Sequence, residues 1–157
     1  VMAGTKLEMN EVEGRLYGPV KAKGNQWLEK IEEAVTILRE DFEDNEIVVL
    51  SPEREFIAQK FEELKQTKLF GINFILDLYD KSYVDQEEIL FSSVRRFTGR
   101  QSKAVILLLP SKRELEKDIF ENYEELAFIG AGRTQHSLYI IHSPGIDKEL
   151  NFHLLDS

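Results

Sequence analysis

A three-layer α/β fold, with a mostly parallel sheet of four to five strands and helices on both faces, is predicted by two features of the 157-residue sequence. Short apolar runs suited to strands alternate with longer stretches of helical spacing, and the most apolar run, Ala104 to Leu109, shows no in-and-out alternation. A strand with no polar side must be covered on both faces, and crossover helices that return the chain to the same end of a parallel sheet supply that cover.

The elements follow in chain order. Val1 to Ala3 is a first apolar scrap. A polar, glycine-bearing segment without a period, about residues 4–25, then reads as an irregular loop insertion in a single domain spanning residues 1–157. Inside it "RLYGPV" suits a short strand or hairpin arm, although Gly18-Pro19 would break a longer ladder. Trp27, Leu28, Ile31, Ala34, Val35, Leu38 and Phe42 form one helical stripe over Gln26 to Phe42, with Ile31 and Leu38 at its centre. "EIVVLSP" is a buried strand, and Ser51-Pro52 supply an N-cap and first-turn proline for a helix with Ile57, Phe61 and Leu64 inward. "INFILDLYD", Ile72 to Asp80, is rich in β-branched and aromatic residues and reads as a strand; Asp85 with Glu88 resembles a capping box opening a helix that Gly99 closes. Lys103 to Leu109 is the most apolar strand, Lys112 to Ile129 is largely helical, and Ser137 to Ser143 is the last strong strand.

Composition restricts the function classes. Hydrophobic content of 42% with 31% charged residues is ordinary globular usage. The longest apolar run falls far short of the roughly 20 residues that span a bilayer, and "VMAGT" carries no basic leader region. No membrane partner and no export are expected. The absence of cysteine excludes a thiol nucleophile, a disulfide framework and a zinc-thiolate site, and fits a reducing cytoplasm. A net charge of −9 opposes binding to a phosphate backbone, so nucleic acid is not an expected partner. The clusters Arg95-Arg96, Arg100 to Lys103 and Lys112-Arg113 read as solvated helix surface.

Most catalytic motifs fail. Gly130-Ala131-Gly132 precedes a strand instead of following one, and the third glycine of a dinucleotide fingerprint would fall on Gln135, so a helix C-cap is the better reading. No P-loop motif occurs. His136, His142 and His153 lack metal-ligand spacing, and no metal or other cofactor is assigned. Ser92-Ser93 sit in the expected helix without the turn that a nucleophilic serine needs.

In an open α/β sheet of the flavodoxin/Rossmann-like kind, ligands sit beyond the carboxyl ends of the strands. The residues expected there are Gly4-Thr5, Ser51 to Glu53, Asp77 to Lys81 and Pro110-Ser111. The combination of "AGT" after a first strand, Trp27 leading a helix, "LSPERE" after a second strand, the apolar "AVILLLP" and then "EELA" resembles the nucleoside 2-deoxyribosyltransferase-like proteins. It is similar, more distantly, to the TIR-type N-glycosidase domains. The resemblance is a strand-and-turn pattern along most of the chain, with Ala127 where the family has glycine. It implies cleavage or transfer at the N-glycosidic bond of a nucleoside, nucleotide or NAD, with Glu125 as nucleophile. Asp118, Tyr17 and Asp77 are the helpers it implies, and Gly4, Thr5, Asp77 and Ser111 would contact substrate. Departure of a base builds oxocarbenium character at the sugar, which a carboxylate can stabilise or capture.

A second reading stays open beside it. Glu124 and Glu125 also suit the solvated face of a helix, the fold then serving as a non-catalytic interaction or sensory module, and a homo-oligomer is compatible with either reading. Ser111 and Glu114 form a capping-box pair, which would start a helix at Lys112 and put Glu125 in its middle.

Overall fold

A computed structural model describes residues 15–67, 74–77, 88–119 and 121–146, with the side chains of Phe74 and Asp77 outside that description. Among the described residues six strands form one sheet: β1 (Arg15–Lys21), β2 (Ile47–Ser51), β3 (Phe74–Asp77), β4 (Ile89–Ser93), β5 (Ser102–Leu109) and β6 (Thr134–His142). Their spatial order is β1-β6-β5-β2-β4-β3, and every pair is parallel. The helices are α1 (Gln26–Leu38), α2 (Arg54–Thr67), α3 (Lys112–Leu115) and α4 (Tyr123–Ala131). The α/β class, the parallel sheet and the helices on both faces are as expected from sequence, with more strands than the four to five anticipated.

The two faces have separate cores. On one, Trp27, Ile31, Ala34, Val35 and Leu38 of α1 and Phe56, Ile57, Phe61 and Leu64 of α2 pack on Ile47, Val49, Phe91, Ile106, Leu108 and Ile141. On the other, Tyr123, Leu126, Ala127 and Ala131 of α4, with Val94 and Phe97, cover Val48, Leu50, Val105, Leu107, Leu138 and Ile140. Adjacent residues of β5 therefore enter opposite cores, which is why its sequence lacks alternation. All four of Val105, Ile106, Leu107 and Leu108 are fully buried.

Four local expectations are corrected. Residues 15–21, assigned to the loop insertion, are an edge strand beside β6, and the ladder shifts register between Tyr17 and Val20, at Gly18-Pro19. Burial on one side only explains the weak apolar signal. The helix expected after Asp85 is instead β4 followed by a turn over residues 94–99; Asp85 itself, like Gly4 and Thr5, lies outside the described residues. Ser51 ends β2 instead of capping α2, and Glu53 occupies the capping position, its carboxylate accepting the Glu55 N–H at 3.3 Å. The helix expected over 112–129 is two helices separated by residues 116–122, with Glu116 in the left-handed region at φ 58°. Asp118 and Asn122, residue types that favour turns and caps over helix interiors, lie in that break.

Candidate functional site

Polar side chains collect at the carboxyl ends of the strands. Among the described residues Ser51 ends β2 and Glu53 follows it, Ser92 and Ser93 end β4, Ser111 follows β5, and His142 ends β6 with Ser143 after it, all of them buried. A buried polar group is tolerated only where it finds partners, and these interlock. Ser143 Oγ accepts the Ser111 N–H at 2.9 Å, Ser111 Oγ accepts the Glu114 N–H at 3.2 Å, and His142 Nδ1 lies 2.8 Å from the Ser143 carbonyl oxygen. Ser111 is thus an N-cap, as its spacing predicts, but Glu114 does not complete the box; its carboxylate accepts the Gly24 N–H, 3.2 Å away at the entrance to α1.

These contacts shape a cleft of about 680 Å³ lined by Lys23, Gly24, Ser111, Arg113, Glu114 and Ser143, among others. The crossover from β1 runs over the face covered by α1, whereas the β5-to-β6 crossover runs over the α4 face and the chain leaves β6 toward that same face, so the cleft lies where crossovers diverge. A larger hollow, about 750 Å³, is formed by residues 39–46 alone at the opposite, amino end of β2. The topology favours the first as a ligand site.

Of the residues anticipated from sequence, Ser111 lines the cleft. Glu125 sits in the first turn of α4, exposed, and is not among the lining residues; Asp118 is 88% exposed and pairs with Lys112 at 3.2 Å. Tyr17 is within β1, stacked on Tyr139 with ring centroids 5.7 Å apart and bonded through its hydroxyl to Arg15 at 3.2 Å. Burial, and then the Glu33 carboxylate, push the Tyr139 phenol up. The backbone of Asp77 ends β3 opposite Ser92; Gly4 and Thr5 are outside the described residues. The proposed acid, its helpers and the cleft are therefore not brought together as one constellation among the described side chains.

Two features were not anticipated. Glu53, 2% exposed, accepts from Lys117 Nζ at 3.1 Å; that hydrogen bond, with the Glu53 charge, holds the Lys117 ammonium above its ordinary range. At the amino rim of the sheet, Arg133 and Thr134 place two adjacent buried polar atoms, Nε and Oγ1, without a hydrogen-bond partner among the described residues. Ser102 N–H binds the Arg133 carbonyl at 3.0 Å, and Gln135 Nε2 donates to Gln101 Oε1 at 3.2 Å, so the starts of β5 and β6 form one polar edge. No sequence motif marks Glu53 as buried. Arg133 follows directly on the glycines read as a C-cap, a position where a basic residue is ordinary.

Among the described residues no helix is long and apolar enough to cross a membrane, and no cluster of three or more histidine or acidic side chains could hold a metal ion. No protein-family model matches the sequence, and neither does any curated protein. Among solved structures, the chain shares its fold with the C-terminal domain of a possible DNA helicase from Lactobacillus plantarum WCFS1. The TM-score is 0.60 at 11% identity, covering 92% of this chain and 86% of that one. A likeness at that identity concerns the fold alone.

Proposed function

We propose that the chain is a helicase-type α/β domain that presents Arg133 to the phosphates of a nucleotide, at a site completed by a second domain or protein. The observation that carries this reading is the buried Nε of Arg133, which has no hydrogen-bond partner among the described residues and lies at the amino rim, away from the cleft that topology alone favours. A buried donor without a partner costs about 1–3 kcal/mol, a cost that an arriving phosphate oxygen removes. Guanidinium groups are suited to that task because their donors form a rigid fork, and an arginine supplied from a neighbouring domain can stabilise charge on a transferring phosphoryl group. The neighbour of like fold is described as one domain of a possible DNA helicase, which is why a nucleotide is the ligand to test first.

The test is a protein-observed NMR titration with a magnesium-bound, non-hydrolysable nucleoside triphosphate analogue. Shifts should cluster on Arg100, Gln101, Arg133 and Gln135, disappear in Arg133→Ala and persist in part in Arg133→Lys. No shift at millimolar ligand, or shifts confined to the opposite end of the sheet, overturns the proposal.

The N-glycosidic reading is kept as a second one on a single observation: Glu125 is exposed in the first turn of α4, where a carboxylate can meet a ligand, and not buried in mid-helix. Release of base from a panel of nucleosides, nucleotides or NAD, lost in Glu125→Gln, would move the assignment to it.

A further inference from the structure

The cleft at the carboxyl ends of β1, β5 and β6 has a hydrogen-bonding balance of its own. Ser111 and Ser143 line it and are buried, at 4% and 1% exposure. Each hydroxyl oxygen already accepts a backbone N–H, that of Glu114 at Ser111 and that of Ser111 at Ser143. A serine hydroxyl also carries one proton to donate. Neither proton has an acceptor among the described residues. Two buried donors are therefore left over side by side in one wall, where an unmade hydrogen bond is costly.

The other groups around the cleft lean the same way. Lys23 and Arg113 line it, both exposed, and neither side chain has an ion-pair or hydrogen-bond partner among the described residues, although the chain carries 29 acidic residues. Of the two acids in the wall, Glu114 is engaged by the Gly24 N–H at 3.2 Å, which leaves Glu116. The amino end of α1 contributes Asn25 and Gln26 to the lining, and Asn25, at the N-cap, makes no capping hydrogen bond with its side chain. First-turn N–H groups without such a cap are donors as well. The spare capacity of the cleft is thus almost entirely donor and cationic.

We propose that this cleft binds the phosphate monoester of a small sugar, with Lys23 and Arg113 on the phosphate and the Ser111 and Ser143 hydroxyls donating to ligand oxygens. A phosphate monoester brings both the charge and the terminal acceptor oxygens that such a wall lacks. Glu116 then remains to accept from a sugar hydroxyl. A cleft of about 680 Å³ is within the usual range for a small ligand. No aromatic side chain stands among its lining residues to stack on a base, so the body of the ligand is a polyol and not a nucleobase. The site is independent of Arg133, which lies at the other end of the sheet.

Protein-observed NMR with glucose 6-phosphate at constant ionic strength tests the assignment, with inorganic phosphate, glucose and acetate as comparison ligands. Saturable shifts should appear at Gly24, Gln26, Ser111 and Ser143 with the sugar phosphate, more weakly with inorganic phosphate, and not with glucose or acetate. Combining Lys23→Met with Arg113→Met, both at exposed positions, should weaken the affinity by about tenfold or more and leave the urea midpoint in place. Arg113→Lys and Arg133→Ala should each keep binding. The absence of saturable shifts at millimolar sugar phosphate overturns the proposal. So do equal shifts from acetate, an undiminished affinity in the double variant, or shifts confined to the amino rim around Arg133.

Discussion

Replacing Gly130 with alanine should destabilise the protein even though alanine is the better helix former. Gly130 is the next-to-last residue of α4 and faces the sheet. A Cβ there would lie 2.9 Å from Val94 Cγ2 and 3.1 Å from Leu107 Cδ1. Both neighbours are fully buried. Val94 is also β-branched and stiff at χ1, so neither side chain has an easy retreat. The propensity gain is at most about 1 kcal/mol in a helix interior and less near its end, whereas overpacking a filled core costs about 1–3 kcal/mol. The balance is a net loss of about 1 kcal/mol, or about 2–4 °C in Tm for a domain of this size. Urea unfolding followed by circular dichroism gives the value, and repeating the substitution in a Val94→Ala background removes the obstructing methyls. There Gly130→Ala should be neutral or stabilising. A raised midpoint in the wild-type background would refute the claim that α4 sits this close to the sheet because residue 130 has no side chain.

Other perturbations have equally definite outcomes. Leu38→Ala removes a side chain that is 1% exposed on the inner stripe of α1 and should cost about 2–5 kcal/mol; an unchanged denaturation midpoint contradicts that placement. The Lys103 hydrogen bond and the Glu43 backbone hold the Glu46 carboxyl below its ordinary range. Because the folded value is the lowered one, its stabilisation is complete above the ordinary carboxylate range and disappears as pH falls through the lowered value. Lys103→Met should therefore flatten the acid limb of stability against pH, measured by urea midpoints from neutral pH downward, and an identical limb in both proteins argues against the pair. If the N-glycosidic reading holds, Glu125→Gln should remove most base release while Glu124→Gln retains it, by chromatography of the reaction mixture; full turnover in Glu125→Gln ends that assignment.

The parts of the fold that were readable in sequence are those where local pattern and tertiary environment agree. Helix α1 carries its stripe in full view, and β5 shows its two-sided burial as an unbroken apolar run. Segment 89–93 reads as helix because Asp85 and Glu88 imitate a capping signature, a local cue, whereas the place of "ILFSS" between β2 and β3 is set by the sheet. The same limit applies to the candidate site. Ser111 could be placed because a residue directly after a buried strand reaches the carboxyl edge by geometry alone. Glu53 lies in "LSPERE" directly after a strand, yet the partner of its buried carboxylate, Lys117, is 64 positions later, inside what reads as continuous helix. Arg133 has no cue of its own, since a buried nitrogen without a partner among the described residues is a property of packing and not of residue spacing.

The pairing of β1 with β6 also has a consequence for how the chain assembles. Among the described strands, the first in sequence finds its neighbour only in the last, so Leu16 meets Leu138, which stands 122 positions later in the chain. During synthesis Arg15 to Lys21 has no ladder partner among the described strands until β6 has been made, while β2, β4 and β5 can already associate. Long-range parallel pairing of this kind slows folding, because loop-closure entropy is lost before the contacts form, and exposed strand edges invite pairing between chains in the interval. Edge strand β1 is consequently where a nascent or refolding population is most open to aggregation, and where a chaperone that shields extended segments would have the most effect.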